Sequence, residues 1–204
     1  MGGRRETVPA AETETAGGVL MNYKIRELKQ DEVNILNTFL YEAIFIPDGV
    51  DAPPYEIIKK PELQVYVADF GRQKGDICYV AESGEKIVGA VWVRIMDDYG
   101  HVNDATPSLA ISLLKEYRNH GIGTKLMKRI LLELKNQGYK QTSLSVQKKN
   151  YAVRMYHKVG FHIVEENDEE YIMVCKMKRI QSAYKDLFTI VPDIPEANLD
   201  QESK

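Results

Sequence analysis

The chain has 204 residues, 44% of them hydrophobic and 28% charged, with a formal net charge of −3 at pH 7. Such a length and composition are typical of one folded domain with a core of its own. The acidic balance gives no overall attraction to nucleic acid or anionic lipid, and no apolar run approaches the roughly 20 residues of a membrane-spanning helix. We therefore expect no nucleic acid and no membrane among its partners.

The two ends of the chain differ in composition from its middle. Residues 1–20 are rich in Gly, Ala, Thr and Glu and lack the apolar stretch of a signal peptide, which predicts a disordered leader. Residues 180–204 form a predicted C-terminal tail with a solvated acidic end. The apolar run at 187–191 is suited to dock on the domain or on a partner, which leaves a homodimer open. The folded domain is expected to cover residues 21–179.

Hydrophobic patterns along the middle of the chain predict alternating strands and helices. Alternating runs, or runs rich in Val, Ile and aromatic residues, predict strands at residues 23–28, 78–82, 87–96, 109–114, 142–146, 161–164 and 171–177. Apolar residues at helical spacing, bounded by proline and glycine, predict helices at residues 33–43, 55–59, 64–71, 121–136 and 151–159. The strand–helix–strand unit at 109–146 implies a right-handed parallel crossover, and the flanking hairpins imply antiparallel edges. The predicted fold class is α/β, with a mixed sheet covered by helices.

The cysteines and histidines favour neither a metal site nor a disulfide. The four His and two Cys are too sparse and too scattered along the chain for a metal site. Cys78 and Cys175 lie in apolar, strand-like stretches, so we expect buried free thiols in a reducing compartment, the cytoplasm.

Residues 113–124 join the end of a predicted strand to the start of the longest predicted helix. Amides at a helix start have no partner within the helix, and the helix dipole places about half a positive charge there. Gly121 and Gly123 lack the Cβ atoms that would hold a phosphate away from these amides, and Arg118 adds a cation. This arrangement favours a pyrophosphate site, although a tight strand–helix turn without a ligand fits the same glycines. The dinucleotide fingerprint does not fit, because Leu126 stands where its third glycine belongs.

Two segments resemble the signatures of the GNAT superfamily of N-acetyltransferases. Arg118-Asn119-His120-Gly121-Ile122-Gly123 resembles its acetyl-CoA loop, Arg/Gln-x-x-Gly-x-Gly/Ala. Residues 150–161, NYAVRMYHKVGF, resemble the second signature, Asn-x-x-Ala-x-x-x-Tyr-x-x-x-Gly-Phe, shortened by one residue before Ala152. The resemblance covers residues 22–178 and implies a GNAT fold, in which one parallel pair of strands is splayed. It also implies an enzyme that transfers an acetyl group from acetyl-CoA to an amine by direct attack in a ternary complex.

The same resemblance implies roles for the residues of both motifs. The amides from Asn119 to Thr124 would bind the pyrophosphate, and Tyr156 would protonate the departing thiolate, a step suited to a phenol of pKa about 10. From the residues alone, Tyr156 also fits a core aromatic and Asn150 also fits a helix cap. The residues expected to bind acetyl-CoA are Leu113, Leu114, Arg118, Asn119, His120, Gly121, Ile122, Gly123, Thr124 and Asn150.

The base and the acceptor are not fixed by the motifs. Many GNAT enzymes use a Glu, or a water held by the central strand, but the strand at residues 108–113 has no acid here. The segments at 47–61 and 97–107 are long enough to cover a pocket, which favours a small-molecule primary amine as acceptor. A protein lysine or N-terminus as acceptor, and a non-enzymatic acyl-CoA-binding module, are the alternatives. The candidate bases are Asp97, Asp98, His101, Asp104 and Glu56, or a water on Ser108 or Ser112.

Overall fold

The structure, a computed structural model, describes residues 12–16 and 19–177. The rest of the expected leader and the segment 178–204, with its apolar run at 187–191, lie outside the described residues. Within the expected leader, Glu12–Ala16 forms a strand that pairs with the strand after it, which differs from the disorder expected there. The pairing gives partners to main-chain groups at an otherwise open sheet edge.

The described residues form eight strands, four α-helices and three 3-10 helices. The strands are β1 (Glu12–Ala16), β2 (Val19–Glu27), β3 (Ile77–Ser83), β4 (Lys86–Arg94), β5 (Ser108–Leu113), β6 (Gln141–Gln147), β7 (His162–Glu166) and β8 (Glu170–Lys176). The α-helices are α1 (Leu36–Ala43), α2 (Pro61–Gln64), α3 (Ile122–Asn136) and α4 (Ala152–Lys158). The 3-10 helices are Gln30–Ile35, Tyr55–Lys59 and Lys115–Tyr117.

The strands form one mixed sheet in the order β1-β2-β3-β4-β5-β6-β8-β7. All neighbouring strands are antiparallel except β5 and β6, which are parallel and are connected through α3. The predicted α/β class, with a mixed sheet and one parallel crossover, is confirmed. None of the helices in the described part of the chain is both long and apolar enough to span a bilayer.

The sheet has two apolar faces, because successive side chains of a strand point to opposite sides. On the α3 face, α3 and α4 cover residues such as Val91 and Leu109. On the α1 face, α1 and the segment after α2 cover Ala90 and Trp92. The apolar spacing of α3 predicts six residues on its inner face. Leu131 is only partly buried, and the other five are buried: Ile122, Leu126, Met127, Ile130 and Leu134. Cys78 and Cys175 are buried free thiols, as predicted.

The helix predicted at residues 64–71 is wrong, because α2 ends at Gln64 and turns follow it. Arg94 Nη1 donates to the carbonyls of Val65, over 3.1 Å, and Ala68, over 2.7 Å, so a side chain of β4 takes these oxygens. Asp69 also adopts a left-handed φ of 52°. A buried arginine thus shapes this segment as a series of turns.

Candidate active site

The parallel strands β5 and β6 separate soon after they begin. Both are described along their whole length, and they pair in register only at Ser108 and Ser143. The Ser143 amide donates to the Pro107 carbonyl over 3.1 Å, whereas β5 stays paired with β4 as far as Leu113. The strands therefore enclose a gap that is closed at Ser108 and open toward the start of α3.

Main-chain groups of β5 line this gap at every second residue. The Leu114 amide donates to the Val88 carbonyl over 3.0 Å, so Leu114 bonds to β4. By the alternation of an antiparallel ladder, Ile111 and Leu113 turn their N–H and C=O groups toward the gap. Of the two strand residues expected to bind the cofactor arm, Leu113 thus faces the gap and Leu114 does not. Ile111 was missed, although counting back by two residues from Leu113 identifies it.

The loop between β5 and α3 presents a row of free amides. Asn119 and Gly121 have φ angles of 64° and 77°, both in the left-handed region. Such residues, alternating with ordinary ones, curl successive N–H groups into a concave nest. In the described part of the chain, no carbonyl or side chain accepts a hydrogen bond from the amides of residues 119–124. The buried Nδ1 atom of His120 likewise has no partner among the described residues, so the loop is suited to an anionic ligand.

The two glycines of this loop are required for different reasons. Gly121 is the N-cap of α3, and its φ of 77° disfavours any residue with a Cβ. A Cβ on Gly123 would lie 3.3 Å from both Leu113 Cδ1 and Met155 Sδ. Gly123 therefore allows the start of α3 to pack closely between β5 and α4. This packing differs from the approach of a phosphate, which was the reason expected from the sequence.

Arg118 is bonded to protein groups on both sides of the loop. Its Nη2 lies 2.7 Å from Glu42 Oε2 and 3.2 Å from the Glu42 carbonyl. Its Nε donates to the Leu113 carbonyl over 2.9 Å. The two charged side chains are partly buried, with 27% of Arg118 and 20% of Glu42 exposed. The guanidinium thus ties the loop to the end of α1, which the sequence motif did not indicate.

Tyr156 of α4 combines a buried ring with an unbonded hydroxyl. The residue is 8% exposed, and its ring centroid lies 6.0 Å from that of Phe161. Among the described residues, none bonds to the hydroxyl, and burial raises the pKa of the phenol above its usual value. Tyr156 therefore keeps its proton at neutral pH. Asn150 Oδ1 accepts the Ala152 amide over 2.9 Å, so Asn150 supports the start of α4 as a cap does.

The candidate bases are not equivalent in the structure. Asp98 lies at the closed end of the gap, where its Oδ1 accepts the Ser108 hydroxyl over 2.6 Å and its Oδ2 accepts the Tyr66 hydroxyl over 2.7 Å. We call Tyr66, Asp98 and Ser108 the Asp98 cluster. The Ser112 hydroxyl instead donates to the Phe39 carbonyl over 2.6 Å. The other candidates are exposed, or contact groups away from this end of the gap: Asp97, His101, Asp104 and Glu56.

A family model described as the acetyltransferase (GNAT) domain matches residues 35–180, most of the chain. The chain belongs to the GNAT acetyltransferase family. The family is one of acetyltransferases. Comparison with curated protein sequences gives no match.

Solved structures of other acetyltransferases share the GNAT fold at low sequence identity. The PaiA N-acetyltransferase of Thermoplasma acidophilum, in complex with coenzyme A, has a TM-score of 0.58 at 18% identity, covering 77% of this chain and 100% of its own. A protein of Bacillus anthracis named as a streptothricin acetyltransferase, in complex with acetyl coenzyme A, has a TM-score of 0.56 at 18% identity, covering 78% and 100%. A chimeric spermidine N-acetyltransferase from Vibrio cholerae has a TM-score of 0.52 at 16% identity, covering 76% and 95%. At these identities the likeness concerns the fold.

In this GNAT chain, buried side chains of β4 position Tyr66. Trp92 Nε1 donates to the Tyr66 carbonyl over 3.2 Å. Arg94, 2% exposed, donates to Asp76 through Nε and Nη2, both over 2.8 Å. Its Nη1 bonds to the Val65 and Ala68 carbonyls anchor the turns that carry Tyr66. Tyr66 and Arg94 were not predicted from the sequence. The available signal was a lone arginine in an otherwise apolar strand, because a buried charge is tolerated there only when it is paired.

Proposed function

We propose that this GNAT enzyme acetylates a primary amine of a small molecule, with acetyl-CoA as co-substrate and direct attack in a ternary complex. The observation that carries the proposal is the row of amides at residues 119–124, which have no acceptor among the described residues. They lie beside the open end of a gap along which β5 pairs with β6 only at Ser108. A pyrophosphate needs the amide donors, and an amide-containing arm that continues from it needs the open edge of β5 beside them. The same gap leads to the Asp98 cluster, where an acceptor can be bound.

The residues fit acetyl-CoA in two places. The amides of residues 119–124, at the positive end of the α3 dipole, supply donors for the pyrophosphate, and His120 adds a buried ring nitrogen that has no partner among the described residues. Among the described residues, the N–H and C=O of Ile111 and the N–H of Leu113 have no partner, whereas the Leu113 carbonyl accepts from Arg118 Nε. An extended arm can pair with these groups of Ile111 and Leu113 as a strand would. When bound, acetyl-CoA supplies an acetyl group activated as a thioester.

Tyr156 is the acid in this proposal. Burial raises the pKa of the Tyr156 phenol, so the phenol holds its proton at neutral pH. A thiol, with a usual pKa near 8.5, is the stronger acid, so the phenol donates to the departing sulfur as it takes a proton back from the new amide nitrogen. The Tyr156 hydroxyl has no other bond among the described residues, so donation breaks no interaction of the fold.

The acceptor side is covered and acidic. A Cβ on the buried Gly100 would lie 2.9 Å from the Ser145 amide nitrogen, so the main chain of the loop at 97–107 rests directly on β6. Glu170 accepts the Ser145 hydroxyl over 3.0 Å, and with Asp98 it adds negative charge near Tyr66. A covered site with two carboxylates favours a small cationic amine. The chimera with the same fold is, by its name, an acetyltransferase of spermidine, which is such an amine.

The test is release of free CoA thiol from acetyl-CoA in the presence of polyamines, amino acids, aminoglycosides and lysine peptides. We expect release that depends on a small-molecule amine. Release with peptides alone would indicate that the acceptor is a protein and not a small molecule. Tight acetyl-CoA binding without release from any acceptor would favour a binding module over an enzyme.

A further inference from the structure

We propose that Asp98 is the general base of this enzyme, and that Ser108 and Tyr66 hold its carboxylate beside the reacting amine. The inference rests on the proposed function and assigns the proton acceptor of that reaction. The central strand β5 contains no acid that could serve as the base, but an acid from the neighbouring loop lies beside its first residue. Ser108, the first residue of β5, bonds instead to an acid from the neighbouring loop.

The position of Asp98 follows from the register of the sheet. Ser108 pairs with Ser143 at the closed end of the gap, and their hydroxyl oxygens lie 3.5 Å apart. From Leu113 to Leu109 the strand rises roughly 13 Å, at about 3.3 Å per residue. An extended arm as long as about four or five residues therefore reaches from the amide loop to this end. The acetyl carbon it carries and the Asp98 carboxylate then meet at the same end of the gap.

The carboxylate keeps the capacity to take a proton. Each carboxylate oxygen has about two acceptor positions, and each oxygen of Asp98 uses one, for Ser108 or for Tyr66. Asp98 is only partly buried, and one acceptor position remains on each of its oxygens. Burial first, and then the Asp98 charge, raise the pKa of the Tyr66 phenol, which therefore remains a donor. The other titratable groups that act on this phenol are Tyr99 of the loop and Glu170 of β8.

The proton balance uses Asp98 and Tyr156 once each. The acceptor ammonium loses one proton to the Asp98 carboxylate, and the nitrogen lone pair forms the N–C bond as the C–S bond breaks. The sulfur takes the Tyr156 proton, and the second proton of the new amide nitrogen restores the phenol. Asp98 then releases its proton to solvent. The sum is one ammonium and one thioester converted to an amide, a thiol and one proton.

The experiment compares Asp98→Asn with Asp97→Asn, the neighbouring exposed carboxylate, using the amine that gives release in the panel. We expect Asp98→Asn to lower kcat by about 10²- to 10⁴-fold, with acetyl-CoA affinity by calorimetry within about threefold of wild type. The loss should shrink as pH rises, and it should shrink for an amine of low pKa, because such an amine needs no base. Asp97→Asn should keep the wild-type rate.

Two further variants test the residues that hold the Asp98 carboxylate. They keep the proposal testable if Asp98→Asn does not fold. In Ser108→Ala and Tyr66→Phe the carboxylate loses a donor that holds it in place, so kcat should fall with the ordinary amine and stay near the wild-type value with an amine of low pKa, which needs no base. A purely structural role would lower kcat with both amines alike. Wild-type kcat in Asp98→Asn, or equal losses with both amines in both holding variants, would overturn the assignment while leaving the proposed function in place. Absence of amine-dependent release from the wild-type enzyme would overturn both.

Discussion

The buried pair of Arg94 and Asp76 connects the stability of this protein to the geometry of its acceptor side. Their side chains are 2% and 1% exposed, and Arg94 also binds the carbonyls of Val65 and Ala68. Replacing Arg94 by Met leaves a buried carboxylate without its cation, which costs about 3–5 kcal/mol. For a domain of this size the melting temperature should fall by roughly 6–20 °C.

The assay is urea unfolding followed by far-ultraviolet circular dichroism. The matched control is Arg72→Met, because Arg72 makes an ion pair with Asp69 in which the side chains are 77% and 70% exposed. Removing such a solvated pair should change the free energy of unfolding by less than about 1 kcal/mol. The double variant Arg94→Met/Asp76→Asn should recover part of the loss, since the amide still accepts the Gly71 N–H that Asp76 accepts over 2.7 Å. Equal losses in Arg94→Met and Arg72→Met would mean that the buried pair contributes no more to stability than the solvated one.

Two further predictions concern the site itself. Tyr156→Phe should lower kcat by about 10²- to 10³-fold and leave acetyl-CoA affinity nearly unchanged. The reason is that the hydroxyl that is lost donates a proton and bonds to no described residue. A kcat equal to that of wild type in steady-state assays would show that Tyr156 is not the acid. Glu42→Gln and Arg118→Gln should each reduce the free energy of unfolding and show a coupling energy of about 1 kcal/mol in a double-mutant cycle. A coupling of zero, together with a loss of acetyl-CoA affinity in Arg118→Gln alone, would mean that Arg118 serves the phosphate instead.

The fold could be predicted from the sequence wherever local pattern and tertiary structure agree. The helix α3 is an example, since its apolar spacing matches the residues that it buries. The helix predicted at residues 64–71 failed because Arg94, far away in the sequence, takes two of the carbonyls of that segment. Periodicity within one segment contains no information about such a contact.

The candidate site, like the fold, could be predicted where local sequence determines the structure, and not where contacts between distant residues determine it. The motif predicted the amide loop, because the loop's conformation depends on Gly121 within it. It did not predict that Leu114 bonds to β4, which depends on the register of a neighbouring strand. Asp98 was one of several acids in a loop, and only the three-dimensional contact with Ser108 and Tyr66 distinguishes it from Asp97.

The most direct test of this account is calorimetric titration of acetyl-CoA into wild type, Gly121→Val and Gly138→Val. Gly121 and Gly138 lie at opposite ends of α3 with φ angles of 77° and 84°, and a Cβ on Gly138 meets no atom of the described residues within 4 Å. Valine should therefore strain both backbones similarly, and it should disturb the amide loop in Gly121→Val alone. We expect tight binding to wild type and Gly138→Val, and at least about tenfold weaker binding to Gly121→Val, because one or more hydrogen bonds to a charged phosphate are lost. Equal affinity of all three proteins would contradict the assignment of residues 119–124 as the site that holds acetyl-CoA.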